Sequence, residues 1–314
     1  MPAVCALPGP DGCSYNAAMS YPLIFDRSLL RARRARAAAL GPATFLLERA
    51  VDDLVLRLGA VLRRFDLALD LGTPGDTVRT RLADRVGTIV TVDPLPGHPA
   101  TYGLRVVADE EALPFRDGSL DLVVSALALQ FVNDLPGTLI QIRRALRPDG
   151  LLLAALIGGD SLSELRTAFA TAESEIEAGV SPRVAPFADL RELGALLQRA
   201  GFALPVTDVD RVTVRYGSPL GLMQDLRRMG ATNTLVERRR TPLRRATLQR
   251  MMQIYAERFA DADGRLRATF DIVWLSGWAP HQSQQQPLTP GSARTRMADA
   301  LRTQEISAGE KARR

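Results

Sequence analysis

The segment Leu69-Asp70-Leu71-Gly72-Thr73-Pro74-Gly75-Asp76 carries the chain out of a short apolar strand and into a helix. Glycines at such a turn let backbone approach a ligand, and the first turn of the helix offers unpaired N–H groups to an anion. Asp93 closes the next strand, 23 residues after Asp70, where a nucleotide-binding sheet holds ribose hydroxyls. Asp109 follows the third strand, in position to meet a base edge. Taken singly, the glycines could form a plain tight turn and the acids could be exposed loop residues. Their recurrence at three successive strand ends favours a nucleoside. Beyond the fourth strand the nearest polar groups are Asn133 and Asp134, and beyond the fifth Asp160 with Ser161. Asn133, Asp134 and Asp160 are the candidate catalytic residues, with helix capping as the competing role, Asp134 being well placed as an N-cap.

The elements around these residues alternate. Phe25 to Ala39 is rich in alanine and arginine and predicts a helix, stopped by Gly41-Pro42. A second amphipathic helix runs to about Arg64. Strands are then expected at 66–71, 88–92, 104–108, 119–125 and 151–157, with helices at 76–86 and 134–146 between them. The fourth strand is almost wholly apolar, as a strand buried on both faces should be. Strands alternating with helices across short turns give a doubly wound, mostly parallel α/β sheet. In the second half, 189–200 is helical, 206–216 alternates like a strand, 219–259 is mostly helical with breaks near Gly230 and Pro242, and 268–278 is strand-like. The expected organisation is a disordered lead over 1–22, one domain over 23–278 with helices at 23–64 and a helical insertion at 218–260, and a disordered basic tail over 279–314.

With 314 residues, 46% hydrophobic and 24% charged, the chain can bury a sizeable core, and wholesale disorder, collagen-like and disulfide-scaffold architectures are excluded. No apolar run approaches the ~18 residues of a membrane span. The formal charge is +5, and every basic residue except Lys311 is an arginine. The arginines gather at 27–36, 143–147, 238–245 and 294–314. Solvated helix faces are the first expectation for them, docking to an acidic protein or to the periphery of a membrane the second. No aromatic interleaving or nucleic-acid motif accompanies them, so no nucleic-acid partner is expected. Cys5 and Cys13 lie before any patterned segment and, like His98 and His281, suggest no metal site. The N-terminus lacks the pattern of a secretory signal, and a reducing cytoplasm is the expected location.

Three further segments carry a family resemblance: Asp109 to Phe115, Leu120 to Ser125, and Arg147-Pro148-Asp149-Gly150. They resemble the class I S-adenosylmethionine-dependent methyltransferases. Phe25-Asp26-Arg27, Phe131 to Pro136, Gly158 to Arg166, Ser181-Pro182, Pro186-Phe187, Met229-Gly230 and Gly277-Trp278 narrow the likeness to the complex I assembly factor 5 family and its bacterial homologues. The malonyl-acyl-carrier-protein methyltransferase of biotin synthesis looks like the next relative. The resemblance covers about Phe25 to Trp278. It implies a seven-stranded sheet with a helical lid before a last, antiparallel strand, and S-adenosylmethionine as cofactor. It also implies that Asp70, Gly72 and Gly75 lie about the methionine part, Asp93 at the ribose, Asp109 and Glu110 toward the adenine, and Ser125 to Phe131 near the sulfonium.

Two positions depart from the pattern. The family's loop reads Asp-Leu-Gly-Cys-Gly-x-Gly, whereas Thr73-Pro74 fills its middle here and one residue is lost. Proline has no N–H and holds φ near about −65°. The family's His-Trp is replaced by Gln130-Phe131. The resemblance therefore implies methyl transfer to, or another modification of, a protein substrate in respiratory complex I assembly. Hydroxylation of an arginine on a complex I subunit, a non-catalytic assembly factor and methylation of a malonyl-acyl-carrier protein stand as alternatives.

Overall fold

A computed structural model describes residues 23–95, 104–177, 179–285, 291–292 and 295–304. The expected disordered lead, both cysteines and His98 lie outside the described residues.

Two helices open the body of the chain: α1 (Arg27–Ala39), which Asp26 caps by accepting the Leu29 N–H, and α2 (Phe45–Gly59). There follow β1 (Phe65–Leu71), α3 (Thr77–Leu82), β2 (Val86–Val92), β3 (Leu104–Val106), β4 (Leu120–Ala126), α4 (Leu135–Ala145) and β5 (Leu146–Gly158). The second half contributes α5 (Ser163–Glu177), α6 (Leu190–Arg199), β6 (Ala203–Tyr216), α7 (Pro219–Arg228), α8 (Arg245–Phe259) and β7 (Leu266–Trp278).

The strands form one seven-stranded sheet in the order β3-β2-β1-β4-β5-β7-β6. β1 to β5 are parallel, and β7 runs antiparallel to both β5 and β6. The expected α/β class and antiparallel last strand are both found. Strand order reverses between β1 and β4, which leaves a crevice beyond their C-terminal ends.

Because strand side chains alternate between faces, β1 feeds two cores. Leu69 and Leu71 meet Leu139 and Ile142 of α4 and Leu193 and Leu197 of α6, while Ala68 packs with Val51 and Leu54 of α2 and Val78 of α3. Each such aliphatic side chain stabilises the fold by about 1.5–3 kcal/mol. A third core joins α5, α7 and α8 over the far end of β7, around Phe169, Leu226, Tyr255 and Phe270. Helices α5 and α7 roof the crevice, and α8 packs in the same core.

Four features differ from the sequence expectation. β5 starts at Leu146 rather than Leu151, because Leu146 pairs with Leu120 across a register shift that absorbs Arg147-Pro148-Asp149-Gly150. Helix α5 (Ser163–Glu177) is not among the elements expected from the sequence. The arginines at 27–36 and 238–245 are not simply solvated faces, since Arg34 is buried and Arg238 and Arg239 pair with Asp26 and Glu177. The unit after Pro280 contains a five-residue helix, α9 (Met297–Leu301), within the stretch expected to be irregular. Among the described residues no helix is long and apolar enough to cross a membrane.

Candidate functional site

A cavity of about 760 Å³ lies beyond the C-terminal ends of β1, β2 and β4, within the ~300–1,000 Å³ of small-molecule sites. On the sheet side it is lined by Gly72, Pro74, Gly75 and Asp93, and by Leu127, Gln130 and Phe131 after β4. Its roof is apolar, with Leu165 and Phe169 from α5 and Met223 and Leu226 from α7, and α1 adds Arg33 and Arg34.

The glycine loop keeps its special backbone despite the proline. Gly72 and Gly75 have φ of +68° and +76°, the left-handed region that favours glycine. A Cβ on Gly75 would meet nothing within 4 Å, whereas one on Gly72 would stand 2.6 Å from Glu110 Oε1. Thr73, where the family pattern differs, staples the loop to the next strand: its hydroxyl accepts the Ala126 N–H at 2.9 Å. Ser125 donates to the Leu71 carbonyl at 2.7 Å. Ser125 therefore braces the loop from below and does not line the cavity.

Asp70 lies wholly buried beneath the loop, with neither carboxylate oxygen in a hydrogen bond of normal length. Burial pushes its pKa up to about 7, while the nearby Thr73 hydroxyl and Arg79 work the other way. Asp93 reaches the cavity wall, accepts the Leu95 N–H at 2.8 Å and pairs with Arg105 at 3.1 Å.

The acids expected beside an adenine are instead taken by α1. Arg27 pairs with Asp109 at 2.7 Å and with Glu110, and donates to the Phe131 carbonyl at 3.1 Å. Arg34 pairs with Glu110 at 3.2 Å, and Arg31 stands 3.5 Å from Asp109. Glu110 is fully buried against Gly72, at the glycine-loop end of the cavity. Arg27, Arg31 and Arg34 fall on successive turns of a single helix face.

None of the three catalytic candidates lines the cavity. Asn133 ties down the chain before α1: its Oδ1 accepts the Ile24 and Phe25 N–H groups, and its Nδ2 donates to the Phe25 carbonyl. Asp134 caps α4 through the Gly137 N–H at 2.8 Å. Asp160 is exposed and meets Arg211 at 3.3 Å.

Two further side chains line the cavity with unsatisfied atoms. Gln130 donates Nε2 to the Leu127 carbonyl at 2.8 Å, and its buried Oε1 has no partner. Arg34 has a buried Nη2 without a partner, and its guanidinium carbon lies 5.8 Å from the centre of the Phe131 ring. Leu127 and Leu162, both on the wall, hold φ of +53° and +57°, a conformation that costs about 1–2 kcal/mol without glycine. Such strain concentrates at functional sites. Among the described residues no group of three or more His, Cys, Asp or Glu side chains is disposed to hold a metal ion.

Residues 69–154 match the family model of the methyltransferase domain. The chain is 37% identical over 290 residues to the zebrafish (Danio rerio) protein named Arginine-hydroxylase NDUFAF5, mitochondrial, spanning 88% of this chain and 89% of that one. The human protein of that name is 39% identical over 280 residues, with 86% and 81% covered. A malonyl-[acyl-carrier protein] O-methyltransferase of Laribacter hongkongensis is 35% identical over 286 residues, with 85% and 94% covered. In structure the chain is similar to the YcgJ protein of Bacillus subtilis, with a TM-score of 0.51 at 14% identity, covering 74% of this chain and 99% of that one. That likeness shows the fold alone. The sheet order, the glycine-loop crevice and the full-length identity together make this chain a member of the NDUFAF5 family, within the class I methyltransferase superfamily.

Proposed function

We propose that the protein binds S-adenosylmethionine in the cavity at the β1–β4 switch point and transfers its methyl group to a protein substrate in the assembly of respiratory complex I. The observation that carries this reading is the convergence of Gly72, Gly75 and Asp93 on one cavity. The residues fit the cofactor. Open space beside Gly75 admits a ligand against the backbone, and Asp93 stands where a ribose would offer its hydroxyls. When bound, the cofactor supplies an electrophilic methyl on its sulfonium.

The protein's own part is positioning and exclusion of water. Asp93 orients the ribose, and the roof of α5 and α7 shields the reacting atoms. Gln130 Oε1, an acceptor with no partner of its own, holds an N–H of the incoming group beside Leu127. Burial of an unpaired acceptor is unfavourable by about 1–3 kcal/mol, and a donor from the substrate relieves that penalty.

Hydroxylation is the second reading, favoured by the names of relatives at 37–39% identity over most of the chain. Incubation with isolated complex I subunits and S-adenosylmethionine in the presence of dioxygen and a two-electron reductant, followed by mass spectrometry, separates the readings. Methyl transfer adds CH2 and forms S-adenosylhomocysteine, whereas hydroxylation adds one oxygen atom. Binding of a subunit without any mass change supports a scaffold role. A gain of CH2 on the malonyl thioester of an acyl carrier protein, and on no subunit, would move the chain to the carrier-protein branch.

A further inference from the structure

We infer that Arg34 takes the carboxylate of the amino-acid half of the bound nucleoside. The inference rests on the reading that this cavity holds S-adenosylmethionine, and it assigns a residue to the ligand's single anionic group.

Charge balance within the wall points to Arg34. Five arginines line the cavity, and four of them are answered or wet. Arg33 donates to the Asn233 carbonyl, Arg183 pairs with Glu173, and Arg228 donates to the Gly41 carbonyl at 2.7 Å. Arg227 is exposed, so water screens it. Arg34 alone is both buried and incompletely paired: Nη1 meets Glu110 at 3.2 Å, and Nη2 has no acceptor. The one carboxylate it touches is shared with Arg27. Two guanidinium groups share this fully buried carboxylate, and the Nη2 of Arg34 is left without an acceptor, in surroundings where an unmet donor is unfavourable. Arg27 has further compensation from Asp109. Arg34 has none, and a ligand carboxylate completes its fork through paired N–H···O bonds.

Position agrees with charge. Glu110, which fixes Arg34, abuts Gly72 just after β1, and Asp93 stands just after the adjacent β2. A nucleoside with its ribose at Asp93 can direct its charged end along the loop from Gly75 to Gly72 and so toward Arg34. Phe131 packs beneath the guanidinium and limits its swing.

The test is calorimetric titration of the full chain with S-adenosylmethionine and with decarboxylated S-adenosylmethionine, a pair that differs only in the carboxylate. The wild type should prefer the carboxylated form by at least about tenfold. Arg34→Met should bring the two ligands within about threefold of each other, and Arg227→Ala should leave the preference intact. Equal binding of both ligands by the wild type would overturn the role of Arg34 and leave the cofactor reading standing. Persistence of the preference in Arg34→Met would do the same. If neither ligand binds, both readings fall. If Arg34→Met does not fold, the wild-type comparison decides, together with Arg34→Lys, which keeps the charge without the fork and should retain only part of the preference.

Discussion

Asn133 holds Phe25 by both of its backbone groups, its Oδ1 accepting the N–H at 2.7 Å and its Nδ2 donating to the carbonyl at 3.1 Å. The same Oδ1 accepts the Ile24 N–H, and Phe25 packs edge-on to Phe131. A residue whose place after the fourth strand suggests catalysis therefore works as a clasp. It secures the entry to α1, and with it the arginines that reach Asp109 and Glu110.

Asn133→Ala removes three hydrogen bonds at a partly buried joint. The expected loss is about 2 kcal/mol of stability, seen as a fall of about 4–8 °C in melting temperature. Asn133→Asp keeps the Oδ1 acceptor and should lose less. A fully stable Asn133→Ala protein with abolished turnover would assign Asn133 to the chemistry instead.

Asp70 sets a dependence of stability on pH. Its pKa rises from 3.8 to about 7 on folding, chiefly through burial. The folded protein thus keeps a proton that the unfolded chain releases near 3.8. Stability from this group is greatest at low pH, declines as pH climbs from about 4 to about 7, and is flat above that. Asp70→Asn carries no such ionisation. The stability of Asp70→Asn relative to wild type should rise through that window, by on the order of 4 kcal/mol at most. Urea unfolding of both proteins at pH 5 and pH 8 measures it. A difference independent of pH would contradict a proton held on Asp70.

The two left-handed glycines of the loop should respond differently to a methyl group. Gly75→Ala meets no neighbour and costs about 1–2 kcal/mol of backbone strain. Gly72→Ala adds a clash with Glu110 and so disturbs the pairing of Arg27 and Arg34. It should melt lower than Gly75→Ala and lose more ligand affinity. Thermal melts with and without ligand compare the two.

The architecture was legible wherever local pattern sufficed. The apolar run of β4 and the Gly72 and Gly75 punctuation of the loop announced the sheet and its crevice, and Asp93 was found on the cavity wall. The roles of Asp109 and Glu110 were not legible, because their partners Arg27 and Arg34 lie more than 70 residues earlier and only folding joins them. Thr73 looked like damage to the loop, and its hydroxyl proves to staple that loop to β4. The bond depends on strand order, which no local pattern reports. The unsatisfied atoms of Gln130 and Arg34 were not legible for the same reason, since such an atom exists only once its surroundings are closed.

Cofactor binding underlies every chemical step assigned to this protein. Its most direct test is calorimetric titration with S-adenosylmethionine, with wild type beside Asp93→Ala. Wild type should bind with an affinity of micromolar order, about −8 kcal/mol, and Asp93→Ala at least about tenfold more weakly. No heat and no thermal shift at millimolar ligand would mean that Thr73 and Pro74 have closed the site to the cofactor.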